Sequence, residues 1–137
     1  MHTHKRFVRA LALALVPALA AGCTRGESGH TVTGQVAWAG GQLGGHFVEV
    51  TRVDDLSVRG FGTIGPDGRF ALERLVDGKT VPGLPPGEYQ ARLILTDEGD
   101  GQTRKLKLPV RYLDPKTAGW RVTVPAPGDV TLTVAPK

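Results

Sequence analysis

The side chains that could do chemistry in this 137-residue sequence are few and scattered. A zinc peptidase needs a closely spaced His/Glu pair, as in H-E-x-x-H. His30 and His46 instead stand in separate segments, one before the first apolar run and one at the start of another. Both are expected to be solvated rather than to hold a metal. Ser28 and Ser57 are the only serines, and neither sits in a G-x-S-x-G elbow or beside a histidine, so a nucleophilic triad is not expected. Asp97, Glu98 and Asp100 crowd one segment, and Asp54 and Asp55 another. Hard oxygen ligands suit calcium, but the first group lacks the ligand ladder and the closing bidentate glutamate. It is expected to be a solvated hairpin tip. The large amphipathic aromatics Trp38, Tyr89, Tyr112 and Trp120 could stack on a sugar ring. Alternation puts three of them inward and leaves Tyr112, in an irregular segment, as the candidate ligand-binding aromatic at the surface. Lys105 and Lys107 form a short cation row of the kind that protects a sheet edge. No catalytic residue, metal or cofactor is expected, and the chain is expected not to be an enzyme.

The remaining reactive group is Cys23, the one cysteine. Before it, Met1 to Arg9 is basic without an acid, and Ala10 to Ala21 contains only Ala, Leu, Val and one Pro. These are the charged and apolar regions of a secretory signal. The apolar run is too short for a membrane-spanning helix, which needs about 20 residues. Leu19-Ala20-Ala21-Gly22-Cys23 resembles the lipobox of bacterial lipoproteins: an aliphatic residue, small residues, then the modified cysteine. Ala20 stands where leucine is commonest in that motif. The resemblance implies cleavage between Gly22 and Cys23, a diacylglycerol thioether on the Cys23 sulfur and an acyl chain, such as palmitate, on its new amino group. Two or more chains convert marginal membrane binding into stable anchoring. The alternative is a secreted protein with a leftover thiol, a liability in an oxidising compartment. The expected organisation is a signal peptide over 1–22, the lipidated cysteine and a flexible tether over 23–29, and one domain over 30–137. The expected location is the cell envelope, lipid-anchored at the outer membrane or on the periplasmic face of the inner membrane. Thr24 in place of aspartate favours the outer membrane by analogy with envelope sorting rules.

The formal charge of +4 owes three cations to Lys5, Arg6 and Arg9. The chain from Cys23 onward has 14 basic and 13 acidic residues, about +1 net. That argues against nucleic acid as a partner, which requires a clustered basic surface. The 115 residues suit one core. Apolar residues recur with period two at Val32–Trp38, Val48–Val50, Tyr89–Leu95, Leu106–Leu108, Trp120–Val124 and Val130–Val134. Each run offers one face to a core and one to water. Turn sequences separate them: Gly40-Gly41, Gly44-Gly45, Gly65-Pro66-Asp67-Gly68, Pro85-Pro86-Gly87, Asp97–Gly101 and Ala126–Asp129. The pattern predicts an all-β, seven- to eight-stranded β-sandwich. Alternation breaks down between Val53 and Gly62, around Gly60-Phe61-Gly62.

Four short motifs in order resemble carboxypeptidase-regulatory-like domains. Gly34-Gln35-Val36 with Gly41-Gln42-Leu43 is similar to their opening. Thr63 to Phe70 is similar to their "T-D-x-D-G-x-F" turn, with Ile64-Gly65 in place of Thr-Asp. Leu84-Pro85-Pro86-Gly87-Glu88-Tyr89 is similar to "L-P-P-G-x-Y". Leu108 to Val124 is similar to the "I-P-x-K-Y-x-D-P-x-T-S-G-L-x-V-x-V" ending found in small lipoproteins of planctomycete-type bacteria. The resemblance covers about Val32 to Val134. It implies a transthyretin-like (prealbumin-like) Greek-key sandwich, with an Asp67-Gly68 hairpin and with Phe70 and Tyr89 inward from neighbouring strands. Transthyretin-like hydrolases need a Tyr-Arg-Gly-Ser-like C-terminus, which Thr133-Val134-Ala135-Pro136-Lys137 does not supply. The expected role is a lipid-anchored, non-catalytic binding or scaffolding domain, attached to the membrane by its lipid, with an envelope protein or glycan as partner. The alternatives are a surface-tethered carbohydrate-binding module and, third, a small hydrolase relying on His46.

Overall fold

The computed structural model describes residues 28–96 and 106–136. Nine strands follow in order: β1 (Thr33–Ala37), β2 (Phe47–Arg52), β3 (Arg59–Thr63), β4 (Arg69–Ala71), β5 (Glu73–Val76), β6 (Lys79–Pro82), β7 (Gly87–Ile94), β8 (Trp120–Val124) and β9 (Val130–Thr133). A 3-10 turn (Val110–Leu113) and a short helix α1 (Pro115–Ala118) precede β8. The strands form two sheets, β4-β1-β9 and β6-β5-β3-β2-β7-β8. This is the all-β sandwich that the alternation implies, with nine strands among the described residues in place of seven or eight.

Alternation becomes burial. Val48 and Val50 of β2, Tyr89, Ala91 and Leu93 of β7, and Trp120, Val122 and Val124 of β8 face Val36, Phe70 and Leu132 of the smaller sheet, and all are buried. No polar or charged residue among the described ones is fully buried. The sandwich therefore rests on apolar burial, at about 25 cal/mol per Å².

Four features depart from expectation. β3 does form, pairing with β2 from Phe47↔Thr63 to Thr51↔Arg59. Its inward positions are Gly60 and Gly62, where a Cβ would lie 2.4 Å from the Leu84 side chain and 2.5 Å from the Ala71 carbonyl oxygen. The burial alternates, but the hydrophobicity does not. β5 and β6 form a hairpin about Asp77-Gly78, both at positive φ (51° and 75°), as a two-residue hairpin turn of the primed kind requires. Its Leu75 and Val76 are exposed, so no period-two signal marks it. The Gly65–Gly68 turn is closed by Gly68 N donating to the Gly65 carbonyl at 3.0 Å and Arg69 N donating to Asp67 Oδ1 at 3.1 Å. It carries the chain from one sheet to the other and is not a hairpin within one sheet. Phe70 and Tyr89 do point inward, but from opposite sheets. Finally, Leu106–Leu108 is not a strand. Pro109 lacks an N–H and restricts Leu108, and the chain passes into the 3-10 turn.

The proline motifs have local causes. Tyr89 is fully buried, and its hydroxyl donates to the Pro85 carbonyl at 2.8 Å. Gly87 takes φ 147°, and a Cβ there would strike the Arg52 side chain at 2.8 Å. At α1, Asp114 caps the helix by accepting from Lys116 N at 2.9 Å, Pro115 occupies the first turn and Gly119 ends it at φ 73°.

Candidate functional site

Strand direction gives the sandwich two distinct ends. At the entry end, His30 exchanges backbone hydrogen bonds with Leu84, 2.7 and 3.0 Å, and β1 departs. At the far end lie the end of β1, Trp38, the loop before β2, the Gly65–Gly68 turn and the end of β7, as Val36 N to Gly68 O (2.9 Å) and the Phe47↔Ile94 pairing show. From His30 to Trp38 the extended chain spans at most about 26 Å.

The residues with chemical potential are dispersed over this frame. His30 is at the entry end and His46 at the far end, where His46 Nδ1 accepts from Thr96 N at 3.1 Å. The two cannot share a metal. Asp54 and Asp55 are engaged by Arg52, at 2.9 and 3.7 Å. Asp55 also accepts from the Ser57 hydroxyl (2.6 Å) and the Ser57 backbone N–H (3.0 Å). These donors hold its carboxyl below the usual carboxylate range. Ser57 is thus part of a loop closure. Among the described residues no group of three or more His, Cys, Asp or Glu could hold a metal ion, and no helix is long and apolar enough to cross a membrane. Gly22, Cys23, Asp97, Glu98, Asp100 and Lys105 lie outside the described residues.

Tyr112 is not the surface aromatic that its irregular segment suggests. It is 3% exposed and stacks on Trp120, ring centroids 4.7 Å apart at 25°. Its hydroxyl oxygen accepts from Ala135 N and from Arg111 Nη2, both at 2.8 Å, and the Arg111 guanidinium lies 4.8 Å from its ring centroid. The 3-10 turn rolls Tyr112 under the sheet, where the stack and the two donors satisfy both ends of the side chain. Trp120 in turn donates from Nε1 to the Thr133 carbonyl at 3.1 Å. Tyr112 is a strut that holds the end of β9 in place.

What Tyr112 supports is a surface hollow. Trp38, Ala39, Gly40, Lys107, Pro109, Val134, Ala135 and Pro136 enclose about 460 Å³ at the far end. Trp38 is the half-buried aromatic of this group, packed at the margin of the core. The chain folds back on its ring: a Cβ on Gly40 would lie 2.6 Å from Trp38 Nε1, and one on Gly41 3.1 Å from the ring. At Gly40 any side chain would force the ring to shift, and at Gly41 the fit is tight. A smaller hollow of about 140 Å³, lined by Val36, Leu43 and the Pro66–Gly68 turn, lies against Trp38 as well. The indole is therefore a partition with space beside it. Lys107, exposed, is the charged side chain of the larger hollow. It belongs to no strand, so it guards no sheet edge. The sequence signal for the site was Gly40-Gly41 two residues after Trp38, which marks a close approach of backbone to ring.

No family model, no curated protein and no solved structure matches this chain.

Proposed function

We propose that this protein is a lipid-anchored component of a bacterial cell envelope, held by an acylated Cys23, whose sandwich is a non-catalytic binding or scaffolding domain. The observation that carries this reading is the order of the first 23 residues: a basic stretch, a 12-residue apolar run, then Leu19-Ala20-Ala21-Gly22-Cys23. The motif order that resembles carboxypeptidase-regulatory-like domains of small bacterial lipoproteins supports it. So does the small, polar Thr24–Gly29 stretch, a suitable tether leading into the entry end of the domain. Intact-mass analysis of the native, detergent-extracted protein should find a chain starting at Cys23 and carrying acyl groups. Cys23→Ser should leave the protein unacylated and in the aqueous phase. An unmodified thiol on the native protein would overturn the reading.

A second reading, a surface-tethered carbohydrate-binding module, is favoured by the hollow beside Trp38. Its aromatic is Trp38 rather than Tyr112. Under both readings the far end is the working surface, because the tether enters at the opposite end.

A further inference from the structure

We propose that the far-end hollow binds an anionic sugar ring, with the apolar C–H face of the pyranose on the Trp38 indole and its carboxylate or phosphate on Lys107. The assignment rests on the carbohydrate-binding reading and narrows it to a substrate class.

Size permits a ring. About 460 Å³ lies within the range of ligand pockets, roughly 300–1,000 Å³. The walls are apolar: Trp38, Pro109, Val134, Ala135 and Pro136. The lining residues carry two polar side-chain groups, the Lys107 ammonium and the Trp38 indole N–H, and both are donors. Among the described residues Lys107 has no ion pair, and no acidic side chain of theirs lines the hollow with it. The Trp38 indole N–H lies beside Gly40 and donates no hydrogen bond among the described residues, whereas that of Trp120 is satisfied by Thr133. A fully buried indole N–H ordinarily finds an acceptor in the protein, and a half-buried one such as that of Trp38 is left open to water or ligand. A pyranose stacked over the face of that indole cannot take this in-plane N–H, so its acceptor is water or a sugar substituent that reaches past the edge of the ring.

Other ligand classes fit less well. Pro109 and Pro136 have no N–H, so these walls offer no run of donors to an extended peptide. The hollow is open to solvent along one side and has no enclosed channel for an acyl chain. A flat indole, apolar walls and one cation match a ring that has an apolar face, hydroxyls on its rim and one negative group.

The test uses the full chain, ¹⁵N-labelled and kept in mild detergent. The sequence has two tryptophans, so the indole N–H region contains two signals, and Trp38→Phe assigns them. An oligogalacturonate, glucose 6-phosphate and neutral cellotetraose are titrated in turn. The uronate or the phosphate should move the Trp38 signal saturably and leave the Trp120 signal in place. The neutral oligomer should bind about three- to fivefold more weakly, the range of one exposed ion pair. Lys107→Gln, an exposed position, should reduce the anionic sugars to the affinity of the neutral one, with the Trp120 signal reporting an intact fold. Equal affinity for neutral and anionic sugars would overturn the anionic assignment and leave the carbohydrate reading standing. No movement with any of the three at millimolar concentration would overturn both. Decanoate or a proline-rich peptide moving the Trp38 signal where sugars fail would replace the sugar by that class. None of these outcomes bears on acylation of Cys23, which the mass measurement reads separately.

Discussion

Replacing Tyr112 by phenylalanine removes one oxygen and leaves the ring. Were Tyr112 at the surface, the change would stay within about 0.5 kcal/mol of neutral. In this structure that oxygen accepts from Ala135 N and Arg111 Nη2. Arg111 is exposed and regains water on losing its partner, so its bond contributes little. Ala135 is half-buried, and its amide is left without its acceptor. One such bond is worth about 1 kcal/mol net, and an orphaned donor up to about 3. Partial access to water at Ala135 places the expected loss near 1–1.5 kcal/mol, or about 4–8 °C in Tm for a domain of this size. The stack on Trp120 survives, so the urea m-value should not change. Tyr112→Ala also loses the ring from the core and should cost about 3–5 kcal/mol. Urea unfolding gives the magnitudes, and hydrogen exchange at the Ala135 amide locates the effect. A Tyr112→Phe protein as stable as the parent, with Ala135 equally protected, would refute the strut.

Three further outcomes follow from backbone approach and charge. Gly34→Ala places a Cβ 2.3 Å from the Val130 carbonyl oxygen and 2.8 Å from the Phe70 ring; it should destabilise by about 2–3 kcal/mol or more. Gly128→Ala meets nothing within 4 Å and should stay within about 0.5 kcal/mol in the same urea assay. Asp129 accepts from the Thr33 hydroxyl at 2.5 Å and from Arg69 Nη2 at 2.7 Å. The Thr33 bond first, then the Arg69 bond and charge, hold its carboxyl below the ordinary 3.8. A depressed pKa in the folded state means stability that is present in full above 3.8 and lost as pH falls through the lower folded value. Asp129→Asn should flatten the acid limb of a plot of stability against pH, and an unchanged limb would show that the Thr33–Asp129–Arg69 contacts contribute nothing.

The parts of the fold legible in the sequence are those where burial and hydrophobicity share a period. β2, β7, β8 and β9 were visible because Val, Leu, Tyr and Trp occupy the inward positions. β3 was hidden because its inward positions are glycines that admit Leu84 and the Ala71 carbonyl. The β5–β6 hairpin was hidden because its apolar residues face solvent, although Asp77-Gly78 is a strong local hairpin signal. Tyr112 was misplaced because a 3-10 turn has no period that alternation can detect. The α1 stop signals, Asp114-Pro115 and Gly119, were present but unread. Trp38 was expected on an inward face and sits instead at the margin, where β1 runs out and Gly40-Gly41 folds over it. A hollow assembled from residues 38–40, 107–109 and 134–136 leaves no contiguous pattern in the chain.

β1 and β9 run side by side in parallel, with four rungs from Gly34↔Val130 to Ala37↔Thr133. A pull on the chain before His30 drags β1 toward its beginning, and a load gripped near Pro136 drags β9 toward its end. The two forces slide the strands lengthwise, so all four rungs must give way together rather than unzip singly. By this arrangement a domain held before His30 and loaded at its far end is stressed in shear across this strand pair.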